Sequence, residues 1–242
     1  MKALIASLQF LTALPLGRPR PFDPRGIVAN FPLAGLAVGL LLALFDLAAS
    51  ALWPTVVVSA LDVILLAAVT GALHLDGLAD AADGLYGRRE RAAMLAIMKD
   101  SRVGAMGLVA VVCVLLAKTA ALGHIDHGRF LALLIVPAYA RASMIFGMRF
   151  VPYARGEDGT GSAFFETPLA ALDLRYLAIP VFFSLFLGWR GVLLNLVFAA
   201  ATAALIALYR KKLGGITGDM LGAMAEIMEA ALLLAACAGG GS

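Results

Sequence analysis

Long runs of Leu, Ala, Val and Phe, nearly free of charge, constrain this chain more than any motif in it. An α-helix crosses the hydrocarbon layer of a bilayer in about 20 apolar residues. The 242 residues hold seven segments near that length: 28–49, 54–73, 105–122, 130–150, 174–188, 192–208 and 220–238. Composition agrees, with 62% apolar and only 14% charged residues, against roughly 25% charged in a soluble domain. The expectation is an all-α, polytopic transmembrane bundle of seven spans, or six if 174–188 and 192–208 merge. Only Gly188-Trp189-Arg190-Gly191 separates that pair.

Charge sets the orientation. With seven spans, segments 1–27, 74–104, 151–173 and 209–219 share one side. Together with Arg149 and Arg175 at the edges of the third, they hold 15 of the 19 Lys and Arg. Lys118, Arg129 and Arg190 fall on the other side, and Arg141 lies inside the fourth span. The positive-inside rule then places the N-terminus and the four basic segments in the cytoplasm. Merging spans five and six would put Arg210-Lys211-Lys212 on the opposite face. The net charge of +3 does not mark a nucleic-acid binder, because the basic residues stand where membrane orientation needs them. Cys113 and Cys237 lie in apolar segments with no metal-ligand or disulfide spacing. No linker or repeat interrupts the chain, so 1–242 is read as one membrane domain. Segment 1–27 is taken as interfacial or re-entrant, and 239–242 as a disordered tail.

The stretch Leu73-His74-Leu75-Asp76-Gly77-Leu78-Ala79-Asp80-Ala81-Ala82-Asp83-Gly84 carries the chemistry. On a helix Asp76, Asp80 and Asp83 fall within an arc of about 60°. Three carboxylates on one stripe repel each other, and a divalent cation turns that repulsion into a site. Oxygen-only ligands suit Mg²⁺, Mn²⁺ or Ca²⁺ rather than zinc. The alternative is a solvated face just outside the bilayer. His74 points about 200° away from Asp76 on a continuous helix, and is kept as a substrate contact in case the helix starts after it. A second acidic element follows Gly214-Gly215-Ile216-Thr217-Gly218, with Asp219, Glu226 and Glu229 within about 80° of arc. The two glutamates stand in an apolar span, where a charge must face protein, water or metal; pairing with Arg141 is the competing reading. Lys99 and Arg102, in Lys99-Asp100-Ser101-Arg102, are expected one helical turn apart and suited to a polyphosphate. Arg155 sits in a glycine-rich stretch, 153–164, read as a flexible connector with one substrate contact. Asp62, central in a span, is expected to hold a buried hydrogen bond.

Taken in order, Leu14-Pro15, Phe31-Pro32-Leu33, the aspartate stretch, Ile97-Met98-Lys99-Asp100-Ser101-Arg102-Val103-Gly104 and Gly215-Ile216-Thr217-Gly218-Asp219 resemble the cobalamin synthase family, the adenosylcobinamide-GDP ribazoletransferases. The likeness runs over nearly the whole chain. Two positions depart from the family pattern: Ala72, where glycine is usual, and Ala81, where threonine is common. The resemblance implies an integral membrane enzyme that joins adenosylcobinamide-GDP to alpha-ribazole or its 5′-phosphate, releases GMP and uses Mg²⁺. On that basis Asp76, Asp80, Asp83 and Asp219 are expected to hold one or two Mg²⁺. Asp83 is preferred over Asp80 as proton acceptor, and Lys99 and Arg102 are set to stabilise the departing phosphate. Glu226 and Glu229 would support the metal shell or receive the ribazole base. The expected partners are the two substrates and the bilayer; association into a homo-oligomer stays open. The runner-up readings are a CDP-alcohol-type phosphotransferase, whose Asp-x-x-Asp-Gly…Ala-Arg string is missing here, and an ion or proton transporter running through Asp62, Arg141, Glu226 and Glu229.

Overall fold

The computed structural model describes residues 2–18, 23–155, 161–166 and 168–239. Eleven α-helices occur among them, and a lone bridge between Tyr153 and Ile216 stands in place of any sheet. Helices α3 (Phe31–Ala49), α7 (Ala105–Gly123), α8 (Arg129–Phe150) and α10 (Trp189–Lys212) are long and apolar enough to cross a membrane. They match the first, third, fourth and sixth expected segments. Their outward faces carry exposed Leu44, Leu47, Leu108, Val109, Leu116, Val192 and Leu196. Apolar exposure on that scale needs a lipid or protein cover.

The remaining segments depart from plain spans. The second forms α4 (Thr55–Val69), which stops at Thr70, and the chain then bends by 88° into α5 (Leu73–Leu85). The bend uses two consecutive left-handed residues, Gly71 at φ 59° and Ala72 at φ 56°. Glycine adopts that conformation freely, whereas a Cβ makes it costly. Ala72 therefore carries a backbone strain that glycine would not. The fifth segment is a chain of short pieces rather than one helix: a 3₁₀ helix at Ala171–Leu177, α9 (Ala178–Ser184) and a 3₁₀ turn at Leu185–Leu187. It is nevertheless separate from α10, with Gly188 at φ 60° making the reversal. The seventh is α11 (Gly218–Ala236), capped by the Thr217 hydroxyl accepting from Met220 N–H at 3.2 Å.

The N-terminal segment contributes α1 (Lys2–Leu11) and α2 (Pro24–Ala29); α1 is too short to span, as expected. The amide of Ala13 donates to Val69 O at 2.8 Å, which satisfies an orphan carbonyl at the α4 terminus. The expected tail lies, except for Gly239, outside the described residues.

Helix α8 is the centre of the bundle, 78% buried over its apolar window. Gly35 and Gly39 of α3 lie directly against the Leu133–Ala138 backbone of α8. Small residues four apart allow helix backbones this close an approach. On its other side α8 packs against α11. The short helix α6 (Arg91–Ile97) and the loop after it connect α5 to α7.

Candidate phosphate site

Helix α5 is continuous from Leu73, so the three aspartates share one face, as their spacing predicts. It crosses the start of α11 so closely that a Cβ on Gly77 would lie 2.8 Å from Asp219 O. Glycine there lets the two acidic elements meet. Asp76 and Asp219 consequently line one cavity of about 310 Å³, together with His74, Arg155, Tyr153 and Phe164. Small-molecule sites begin at about this volume.

Arg155 reaches the cavity from the 153–164 stretch, whose residues 156–160 lie outside the described ones. Its Nη2 donates to Asp219 Oδ2 at 2.5 Å and to Met98 O at 3.2 Å. The stretch is anchored and is no loose connector at its start: Ala154 N–H donates to Ile216 O and Ile216 N–H to Pro152 O, both at 2.9 Å. Aromatic rings close one wall, with Phe10 against Phe164 and Tyr153 against Phe165, each pair at 4.9 Å between centroids.

The carboxylates feel one another. Burial, then the charges of Asp76 and Asp219 and more weakly Asp83, push the Asp80 carboxyl up to about 6, against the pull of Arg155. Burial likewise raises Asp219, with Arg155 opposing. Both groups lie outside the spans assigned to the chain.

Asp83 takes a different part from the one expected. Its carboxylate accepts Gly104 N–H at 2.6 Å and Gly107 N–H at 2.9 Å. It therefore caps the N-terminus of α7 from a neighbouring helix, where free amides and the helix dipole favour an anion. Each oxygen takes one backbone amide, which ties Asp83 to the start of α7. Lys99 and Arg102 also differ from expectation. They stand in the turn between α6 and α7 rather than on a helix, and neither lines the cavity. Arg102 is exposed and pairs with Asp100 at 2.6 Å. Arg89 and Arg91 donate to the carbonyls of Asp83 and Ala154, and Lys212 donates to those of Leu85 and Gly87. All three bond to backbone carbonyls near the acidic end.

Glu226 and Glu229 do not face the cavity. They sit buried on α11, and Lys118 places its Nζ 2.5 Å from a carboxylate oxygen of each. Glu229 also pairs with Arg141, whose Nη2 lies 3.4 Å from His74 Nδ1. Two cations thus balance two anions. Lys118, counted in the sequence as an outer-face charge, is 2% exposed and belongs to the interior. Asp62 is likewise paired, at 2.8 Å to Arg129, which also holds Asp46. The intramembrane acids of the transport reading are thus each ion-paired, with Arg129 shared between Asp46 and Asp62. His74, two residues before Asp76 on α5, is buried and lines the same cavity.

Whether the donor set fits Mg²⁺ can be judged from its chemistry. Among the described residues no three acidic, histidine or cysteine side chains form a ready-made cage. Mg²⁺ is commonly held by one or two carboxylates with substrate phosphates and water supplying the rest. Asp76 and Asp219 on one cavity wall, with Asp80 beside them, fit that mode.

A helical chain with bilayer-length apolar helices, in which carboxylates and basic donors converge on one cavity, has the form of a membrane-type enzyme. Residues 3–237 match the cobalamin-5-phosphate synthase family, and the chain belongs to that family. It is 39% identical over 249 residues to the adenosylcobinamide-GDP ribazoletransferase of Geotalea daltonii, covering 100% of this chain and 99% of the relative. The protein of that name from Syntrophobacter fumaroxidans is 41% identical, with 95% and 96% covered. The one from Brevibacillus brevis is 36% identical, with 97% of each covered. No solved structure matches the chain.

Proposed function

We propose that this chain is an adenosylcobinamide-GDP ribazoletransferase of the cytoplasmic membrane, acting on alpha-ribazole or its 5′-phosphate. Its site faces the cytoplasm at the end of a seven-span bundle, and its N-terminus is cytoplasmic. One observation carries the reading. Asp76 and Asp219, far apart in sequence, line one cavity with Arg155.

A ribose hydroxyl attacks the corrinoid-side phosphorus of the pyrophosphate. The new P–O ester forms, the P–O–P bond breaks, and GMP leaves with the electron pair. Asp76 and Asp219 would hold Mg²⁺, which supplies charge neutralisation on the pyrophosphate when bound. Arg155 orients Asp219 and lends positive charge to the phosphates. Asp80, one turn along α5 from Asp76, accepts the hydroxyl proton. Asp83 fixes the start of α7 against α5 and so positions the aspartate face. The Tyr153, Phe164 and Phe165 wall offers stacking to one planar ring, while the bulk of the corrinoid stays outside a cavity of this size.

The test is GMP release from adenosylcobinamide-GDP and alpha-ribazole by the purified protein. Release that needs Mg²⁺ and is lost in Asp219→Asn supports the assignment. Normal release by Asp219→Asn sinks it.

A further inference from the structure

Two donors in the cavity wall have no partner among the described residues: His74 Nε2 and Arg155 Nε, both buried. His74 itself is 1% exposed. A buried polar atom left unpaired in a native site asks for an explanation, and a missing ligand is one.

The state of His74 follows from what lies behind it. A guanidinium can only donate, so Arg141 Nη2, at 3.4 Å, makes His74 Nδ1 the acceptor. The ring is then neutral with its proton on Nε2, because a protonated ring would turn an N–H toward the Arg141 cation. Arg141 is held in turn by Glu229, which shares Lys118 with Glu226. Four buried charges in balance therefore keep one imidazole in one tautomer, with the other ring nitrogen, buried and unpaired, left to donate. A hydrogen bond on one ring nitrogen sets the role of the other in this way.

We propose that His74 Nε2–H and Arg155 Nε–H form an oxyanion subsite that takes a phosphoryl oxygen of the substrate. The buried Glu226–Lys118–Glu229–Arg141 chain fixes His74 as a donor. The subsite rests on the phosphate reading above and adds to it. His74 is a hydrogen-bond donor to substrate and takes no part as a base. The donors stand beside the carboxylates, with Arg155 bonded to Asp219 at 2.5 Å, and share the pyrophosphate with them.

The probe is inorganic pyrophosphate, with Mg²⁺ present throughout, bound to detergent-purified protein and followed by calorimetry. Loss of a hydrogen bond to a charged group weakens binding by about 10-fold or more. His74→Ala is expected to show that loss. His74→Gln, whose amide nitrogen reaches the Nε2 position, is expected to keep affinity within about 3-fold, less than the loss of a charged hydrogen bond. Nitrogen NMR of ¹⁵N-histidine-labelled wild type reads the tautomer without any ligand or turnover. A neutral Nε2–H ring at His74 is expected, and Arg141→Met should release it to a mixture of tautomers. Unchanged pyrophosphate affinity in a folded His74→Ala, or an Nδ1–H ring in the wild type, overturns the proposal. If Arg141→Met does not fold, the alanine–glutamine pair and the wild-type spectrum still decide. Pyrophosphate binding that depends on His74, without GMP release from the corrinoid, would keep the subsite and remove the ribazoletransferase reading.

Discussion

Replacing Lys118 by Met tests the buried charge network. Lys118 is 2% exposed and serves two carboxylates at 2.5 Å each. Glu229 keeps Arg141 when Lys118 is lost, but Glu226 keeps no ion-pair partner among the described residues. Breaking a buried pair while leaving one charge behind costs about 3–5 kcal/mol. For a chain of this size each kcal/mol moves the melting temperature by about 2–4 °C. Lys118→Met should therefore melt roughly 6–20 °C lower than wild type, followed by circular dichroism in detergent or nanodiscs. Removing the stranded charge as well, in Lys118→Met with Glu226→Gln, should recover most of the loss, since the Glu229–Arg141 pair then stands alone and balanced. A Lys118→Met protein that melts within about 2 °C of wild type would refute the reasoning and return Lys118 to the surface. A double variant no more stable than the single one would refute the pairing with Glu226.

Other outcomes follow from the same structure. Ala72→Gly relieves a left-handed alanine at φ 56° and should stabilise the protein by about 1 kcal/mol, read as a small rise in melting temperature. Asp83→Asn puts an amide donor against one of the two backbone amides that its oxygens accept at 2.6 and 2.9 Å and should cost about 1–2 kcal/mol. Asp80→Asn should abolish GMP release with no loss of stability, so parallel melting and activity assays separate the two aspartates. Without divalent metal, Asp80 carries more protons folded than unfolded between its ordinary value of 3.8 and about 6. Stability of the metal-free protein should then rise as pH falls through that window. Mg²⁺ should flatten the slope by stabilising the ionised form, and melts in EDTA and in Mg²⁺ across the window check both statements.

Some of this was open to reading in the sequence. The arc of Asp76, Asp80 and Asp83 needs only helical periodicity, and α5 is local structure. Asp219 was found for a similar reason, from glycines before an acidic helix start. Sorting charges by side of the membrane places Lys118 on the outer face, whereas the structure buries it. Its position, well inside an apolar run, was the signal: a lone intramembrane lysine needs an anion, and Glu226 and Glu229 were waiting with only Arg141 between them. The capping role of Asp83 could not be read at all. It depends on where the start of α7 packs against α5, a tertiary fact with no periodic trace. The 153–164 stretch looked like a connector because its anchoring bonds run to Ile216, distant in sequence. The fifth segment has span-like composition, yet it folds as short 3₁₀ and α pieces, which apolarity alone does not distinguish from one helix.

Asp76 and Asp219 are proposed as one Mg²⁺-dependent site for pyrophosphate chemistry. The most direct measurement is the rate of GMP release from adenosylcobinamide-GDP and alpha-ribazole by wild type, Asp76→Asn and Asp219→Asn, each with and without Mg²⁺. The account predicts release by wild type only with Mg²⁺, and a fall of at least about 100-fold in both variants, the loss expected when a main electrostatic contribution to catalysis is removed. Equal rates in all three proteins, or wild-type release indifferent to Mg²⁺, would contradict it.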